Sequence, residues 1–344
     1  MSDFWIPDKA YTFWRRYVDW CTRHSFFSLE TVGELPPMDQ GAWFIVSNHT
    51  HTLIDALVLL QGRREATAFG ARADVFRNPT AARLLHFCKI VPLARKDRDK
   101  PEEVAHNRHA MEYIDQIVAH GVPFCLFPEG RHRPKHSLLP LRRGVASMAF
   151  RSAAQRPTYI LPVGLDYSDW FHFRGRARIR YGEPIDVNAF ASAVSDGIED
   201  SRRDALLLEE LSKRLSSLIL FIPDDGRYEE TLAQCKDLQP SHRLRDRILS
   251  VLLFPLFVVS AVLALPMWVS AESLCARMKD HAWNNTVRYA VKLVSTPLWG
   301  LILGLLLFVF FPPWIALALL FLFLPSYSFF YDWLNLAAGR TSPI

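Results

Sequence analysis

The stretch Ala42-Trp43-Phe44-Ile45-Val46-Ser47-Asn48-His49-Thr50-His51-Thr52-Leu53-Ile54-Asp55 decides the fold. Its first five residues are apolar, aromatic or β-branched without alternation, the composition of a short strand covered on both faces. Ser47-Asn48 ends the run, and residues 53–60 continue as a helix. His49 thus falls in a strand-to-helix turn, with Asp55 about one turn or more inside the helix. Open α/β sheets place their ligands at the carboxyl ends of such strands.

The same alternation continues along the chain. Residues 65–71 and 90–93 read as short strands, 102–119 as a helix, and 123–127 as another buried strand running into Pro128-Glu129-Gly130-Arg131. A helix over 143–154, a strand over 159–164, an edge strand over 174–181 and an amphipathic helix over 198–221 follow. Strands separated by helices imply an α/β domain with a mostly parallel sheet covered by helices.

The residues at the two strand ends carry chemistry. An imidazole titrating near neutrality suits the removal of a hydroxyl proton, and a carboxylate on its other ring nitrogen would fix the tautomer and stabilise the imidazolium. His49 and Asp55 are the candidate pair, with His51 a competing base. At the second strand end, Gly130 permits a close backbone approach, and Arg131 offers a fork of donors that matches a phosphate.

Asn48-His49 with Asp55, followed by Phe127-Pro128-Glu129-Gly130-Arg131, resembles the active-site signature of the glycerolipid acyltransferases, the family of lysophosphatidate and glycerol-3-phosphate acyltransferases. The resemblance extends over residues 32–184. It implies transfer of a fatty acyl group from acyl-CoA or acyl-carrier protein, as co-substrate, to a hydroxyl of a phosphate-bearing acceptor, with no metal or bound cofactor. It also implies that His49 is the base, that Asp55 orients it, and that Glu129, Gly130 and Arg131 bind the acceptor phosphate. Weaker blocks around residues 70–79 and 90–95 add Arg77 and Arg95 as secondary cations. The family spaces its His and Asp by four residues; here five intervene, which on a helix rotates the carboxylate by about 100°. The turn before the helix must absorb that rotation. An esterase or phosphatase using the same pair on water, or a non-catalytic lipid-binding protein, remain rivals; no Gly-x-Ser-x-Gly elbow supports a serine esterase.

Beyond Arg247 the composition turns lipid-like. Residues 248–271 are an uncharged run of 24, about 36 Å as helix against a hydrocarbon core of about 30 Å. Uncharged runs of 19 and 18 residues, 293–311 and 314–331, flank Pro312-Pro313 and predict a helical hairpin. Arg243, Arg245 and Arg247 before the first run nearly balance Arg277, Lys279, Arg288 and Lys292 after it, so the positive-inside count is close to a tie. The expected organisation is an amphipathic interfacial helix in residues 1–30, the acyltransferase-like domain in 31–222, a polar connector in 223–247 and membrane-embedded helices in 248–344.

The aromatic helix expected over residues 5–27 suits either a membrane interface or packing against the catalytic domain. Charges scattered through the first thirty residues leave no apolar core for a cleavable signal, which predicts a cytosolic catalytic domain. Five scattered cysteines with no Cys-x-x-Cys pair argue against disulfides and zinc, and a net charge of +5 without a basic stripe argues against nucleic acid. Membrane lipid, an acyl donor and a phosphate-bearing acceptor are the expected partners.

Overall fold

The computed structural model describes residues 3–63, 65–94, 107–194, 199–235 and 244–340. Among these residues eight strands form one sheet: β1 (Ser28–Val32), β2 (Ala42–Ser47), β3 (Ala68–Arg72), β4 (Ile90–Leu93), β5 (Phe124–Leu126), β6 (Thr158–Tyr167), β7 (Arg176–Tyr181) and β8 (Ile185–Asp186). The order is β1-β7-β6-β2-β5-β3-β4, with β8 beside β6. Every pair from β6 through β2, β5 and β3 to β4 is parallel, whereas β7 and β8 run antiparallel to β6. The expected α/β fold is therefore present.

Residues of β2 alternate between two cores. Trp43 and Ile45 face one cluster, and Ala42, Phe44 and Val46 face the other. Both faces of the strand are apolar because both are covered. The second cluster is closed by the helices Asn107–Ala119, Gly144–Ala153 and Asp200–Leu218. The first is closed by Leu53–Leu60 and by residues from the carboxyl-terminal helices, among them Met267, Tyr289, Phe323 and Tyr327.

Three expectations are corrected. The strand over 174–181 is not at the edge: β7 lies between β6 and β1, and β1, with only five residues and a half-exposed pattern, is the edge. Asp55 is the third residue of its helix rather than a full turn inside it. The 24-residue run is not one straight span. It is divided into Leu244–Leu252, Phe254–Leu263 and Leu265–Cys275, with a 57° bend between the first two. Pro255 and Pro266 stand at the starts of the second and third pieces, where each lacks the N–H that a continuous helix would need.

The hairpin is formed as expected by Asn284–Phe310 and Pro313–Ala337. With the one-turn lead-in from His281, these two helices are long and apolar enough to cross a membrane, and the bent pair could make a third crossing. The amino-terminal helix, Lys9–Arg23, is capped by Asp8, which accepts from the amides of Ala10 and Tyr11. It touches both halves of the protein. Buried Arg15 donates to the carbonyls of Leu60 and Arg63, and the Tyr17 hydroxyl donates to the carbonyl of Leu293 at 2.7 Å.

Candidate active site

Because β2, β5 and β3 are adjacent and parallel, the segments that leave their carboxyl ends emerge on one edge of the sheet. Those segments hold His49, Phe127 to Arg131, and Arg77. The register that makes this possible is fixed in part by Asn48, whose amide accepts from Leu165 N–H at 2.8 Å and donates to Leu165 C=O at 2.9 Å. It extends the β2–β6 ladder by one side chain just where the turn begins.

In that turn, His49 Nδ1 lies 2.8 Å from Asp55 Oδ2. The same oxygen accepts the backbone N–H groups of Thr50 and His51 at 2.8 and 2.7 Å. Asp55 is fully buried, while His49 keeps 18% of its side chain exposed. Its ring stacks on Phe127, centroids 4.3 Å apart. With Nδ1 engaged, Nε2 is the ring nitrogen left for a substrate.

The additional residue between His49 and Asp55 is absorbed at Thr52, whose φ is 52° with ψ −129°. A β-branched residue there is under backbone strain of about 1–3 kcal/mol. Thr52 Oγ1 meets Thr286 Oγ1 at 2.7 Å, both side chains buried.

His51 is removed from competition by its surroundings. It is 2% exposed, its Nε2 lies 3.3 Å from Asn285 Nδ2, and its ring meets Tyr167 edge-on. Burial pushes its pKa down to about 4, so it is neutral near pH 7. His49 and Asp55 are the pair that the fold brings together; His51 faces inward.

Glu129 joins the two motif loops. One carboxylate oxygen accepts from His49 N–H at 2.8 Å and the other from Leu139 N–H at 2.9 Å, and the residue is 3% exposed. Burial raises its pKa against the lowering effect of those two N–H groups. A second tie runs from Arg133 N–H to the His49 carbonyl, 3.0 Å. Gly130 has φ +70°, a conformation that costs glycine nothing.

The cations of this loop differ in availability. Arg133 and Lys135 are both paired with Asp224, and Arg143 with Asp204 at 2.9 Å. Arg131 is exposed and makes no ion pair among the described residues. Arg77 is exposed at the end of the one-turn helix that follows β3. Arg95 lies outside the described residues.

Sequence reasoning missed His132, beside the second motif, and the groups that come from far along the chain. His132 stands edge-on to His49, centroids 5.8 Å apart, and its Nε2 is 3.5 Å from Asp280. Trp283 also meets His132 edge-on, centroids 5.9 Å apart. Asp280, Trp283, Asn285 and Thr286 all precede or begin the first long apolar helix. No periodicity in residues 280–286 signals that placement.

Comparison with known proteins finds similarity to acyltransferases. Residues 29–166 match the family model described as Acyltransferase. Over 104 residues the chain is 38% identical to glycerol-3-phosphate O-acyltransferase 2 of Saccharomyces cerevisiae, covering 29% of this chain and 14% of the relative. Glycerol-3-phosphate O-acyltransferase 1 of the same yeast is 35% identical over 116 residues, 32% of this chain and 15% of the relative. An uncharacterized acyltransferase of Schizosaccharomyces pombe is 27% identical over 230 residues, 64% of this chain and 30% of the relative. The solved 1-acyl-sn-glycerophosphate acyltransferase PlsC of Thermotoga maritima superimposes with a TM-score of 0.41 at 20% identity, over 60% of this chain and 83% of its own. The chain spans less than a third of the length of these curated relatives. The matched stretch is thus similar to acyltransferases, and two of the relatives it resembles are named glycerol-3-phosphate O-acyltransferases.

Proposed function

We propose that this protein is a membrane-bound O-acyltransferase of phospholipid biosynthesis, moving a fatty acyl group from a thioester donor, acyl-CoA or acyl-carrier protein, to a hydroxyl of glycerol phosphate or a lysophospholipid. The observation that carries this is the 2.8 Å contact of His49 Nδ1 with buried Asp55, beside a loop whose Glu129 is bonded to the His49 backbone. His49 Nε2 takes the acceptor's hydroxyl proton as its oxygen attacks the thioester carbonyl. Asp55 stabilises the imidazolium, which returns the proton to the departing thiolate sulfur as the C–S bond breaks. Arg131, supported by Arg77 and Arg95, holds the acceptor phosphate; Glu129 and Gly130 shape the loop that presents it.

A lipid-borne substrate fits the position of the site. Asn285, which touches His51, is eight residues before Leu293, about 12 Å along a helix from the start of the uncharged run. A hydroxyl next to a headgroup phosphate would reach His49 without leaving the interface. Polyanionic acyl-CoA does not cross membranes, so the catalytic domain belongs on the cytosolic face.

Membranes carrying the protein, supplied with labelled oleoyl-CoA and either glycerol 3-phosphate or lysophosphatidate, should form the acylated product. His49→Ala should lower kcat by about 10²–10⁴ while leaving the protein folded and inserted. Near-native transfer by that variant would remove the base assignment. Arg131→Ala should mainly raise the KM for the acceptor, and an unchanged acceptor KM would remove its phosphate role.

A further inference from the structure

We propose that Thr286 and Asn285, at the start of the first long apolar helix, are positioning residues of the catalytic turn. The proposal rests on the reading of His49 and Asp55 as base and orienting carboxylate. Thr52 occupies a conformation that threonine disfavours, and it does so in the short link that aims the Thr50 and His51 amides at Asp55 Oδ2. Such a conformation persists only where surrounding contacts impose it. The side-chain contact that meets Thr52 is the Thr286 hydroxyl at 2.7 Å, from 234 positions further along the chain.

Asn285 holds the neighbouring residue from the same element. Its Nδ2 faces His51 Nε2 at 3.3 Å and the carbonyls of Trp170 and His172 at 2.9 and 3.3 Å, and the side chain is 4% exposed. Two consecutive residues of one helix therefore grip two consecutive residues of the catalytic turn. If Thr52 relaxes to a negative φ, the Thr50 and His51 amides leave Asp55 and the carboxylate loses its fixed aim at His49. A misplacement of about 1 Å at a reacting group costs about 10²-fold in rate. The helix that anchors the protein thus also sets the geometry of its base, and the five-residue spacing is workable because that helix is docked.

The test uses the full chain in detergent, with oleoyl-CoA and whichever of glycerol 3-phosphate or lysophosphatidate the native protein acylates. Thr286→Val should lower kcat at least tenfold with the acceptor KM within twofold, and Thr286→Ser should return kcat to within threefold of native. In a Thr52→Gly background, where glycine adopts the same φ without a tether, Thr286→Val should cost less than threefold; a general loss of stability would not be suppressed this way. Hydrogen exchange of the peptide covering residues 48–56 supplies a readout independent of activity, and the Thr50 and His51 amides should exchange at least tenfold faster in Thr286→Val. Asn285→Ala, read in the same way, takes its place if Thr286→Val is not recovered folded. Native kcat together with native exchange in the variant overturns the proposal while leaving the proposed function intact. A native protein that acylates neither acceptor overturns the function, and the exchange measurement then decides the tether alone.

Discussion

At the scale of single residues, partners and burial separate His49, the proposed base, from His51. The two imidazoles are two positions apart, yet one has a carboxylate and an exposed face and the other has Asn285 and Tyr167. The motif pair was legible because its residues lie close together in sequence and next to recognisable strand ends. The choice between the imidazoles was not, since it depends on Asn285. Asn48 illustrates the same limit: it could be read as a marker of the motif, but its work is to satisfy both backbone groups of Leu165, 117 positions away. Asn48→Ala leaves that N–H and C=O buried and unpaired, which should destabilise the protein by about 2–4 kcal/mol. Thermal unfolding in detergent reads the loss directly, and an unchanged midpoint would mean that Leu165 finds other partners.

At the scale of elements, strands were placed well where they are apolar on both faces, as in β2, β4 and β5, because their composition is unlike anything around them. Register and neighbours were less accessible. β1 has a half-exposed pattern and no local signal, and its presence is what moves β7 inward. Loops that cross the sheet edge carry a pH dependence that follows from burial. His136, in the loop after β5, packs against Trp170, is 5% exposed, and is pushed down to about 4 by burial; His51 is held at about the same value. The unfolded chain, with ordinary histidines near 6.5, takes up these protons first. The stability contributed by keeping each ring neutral is therefore intact above about pH 6.5 and is lost progressively as pH falls toward about 4. Unfolding free energy measured between those values should fall with a slope that is shallower by up to one proton in His136→Gln than in the native chain. Equal slopes would show that His136 titrates alike in both states.

At the scale of the molecule, the apolar runs of the carboxyl-terminal part were plain in the sequence, but their role in the catalytic half was not, because hydropathy gives length and says nothing of docking. The loop between β6 and β7 is their socket. Arg174 makes a two-point ion pair with Asp332 at 2.7 Å for each bond, Asn335 donates to the Phe173 carbonyl, and Arg288 donates to the Phe171 carbonyl while paired with Glu272. The first hydrophobic cluster runs without interruption from Trp43, Ile45 and Leu161 of the sheet to Met267, Tyr289 and Tyr327. Each such side chain, returned to water, costs about 1.5–3 kcal/mol, so uncovering several at once exceeds the 5–15 kcal/mol that holds a typical domain together. A chain ending at Cys235 should therefore fail as an isolated soluble domain, aggregating or binding a hydrophobic dye strongly, even though it retains all the strands found among the described residues and the His49–Asp55 pair. Recovery of that fragment as a soluble, cooperatively unfolding protein would show that the sheet stands without its carboxyl-terminal helices. Arg174→Ala offers a milder version, since it leaves the Asp332 carboxylate without its partner and loosens the socket while keeping the chain intact; it should lower the unfolding midpoint and, by loosening the helix Pro313–Ala337 that packs against the helix bearing Thr286, reduce kcat in parallel.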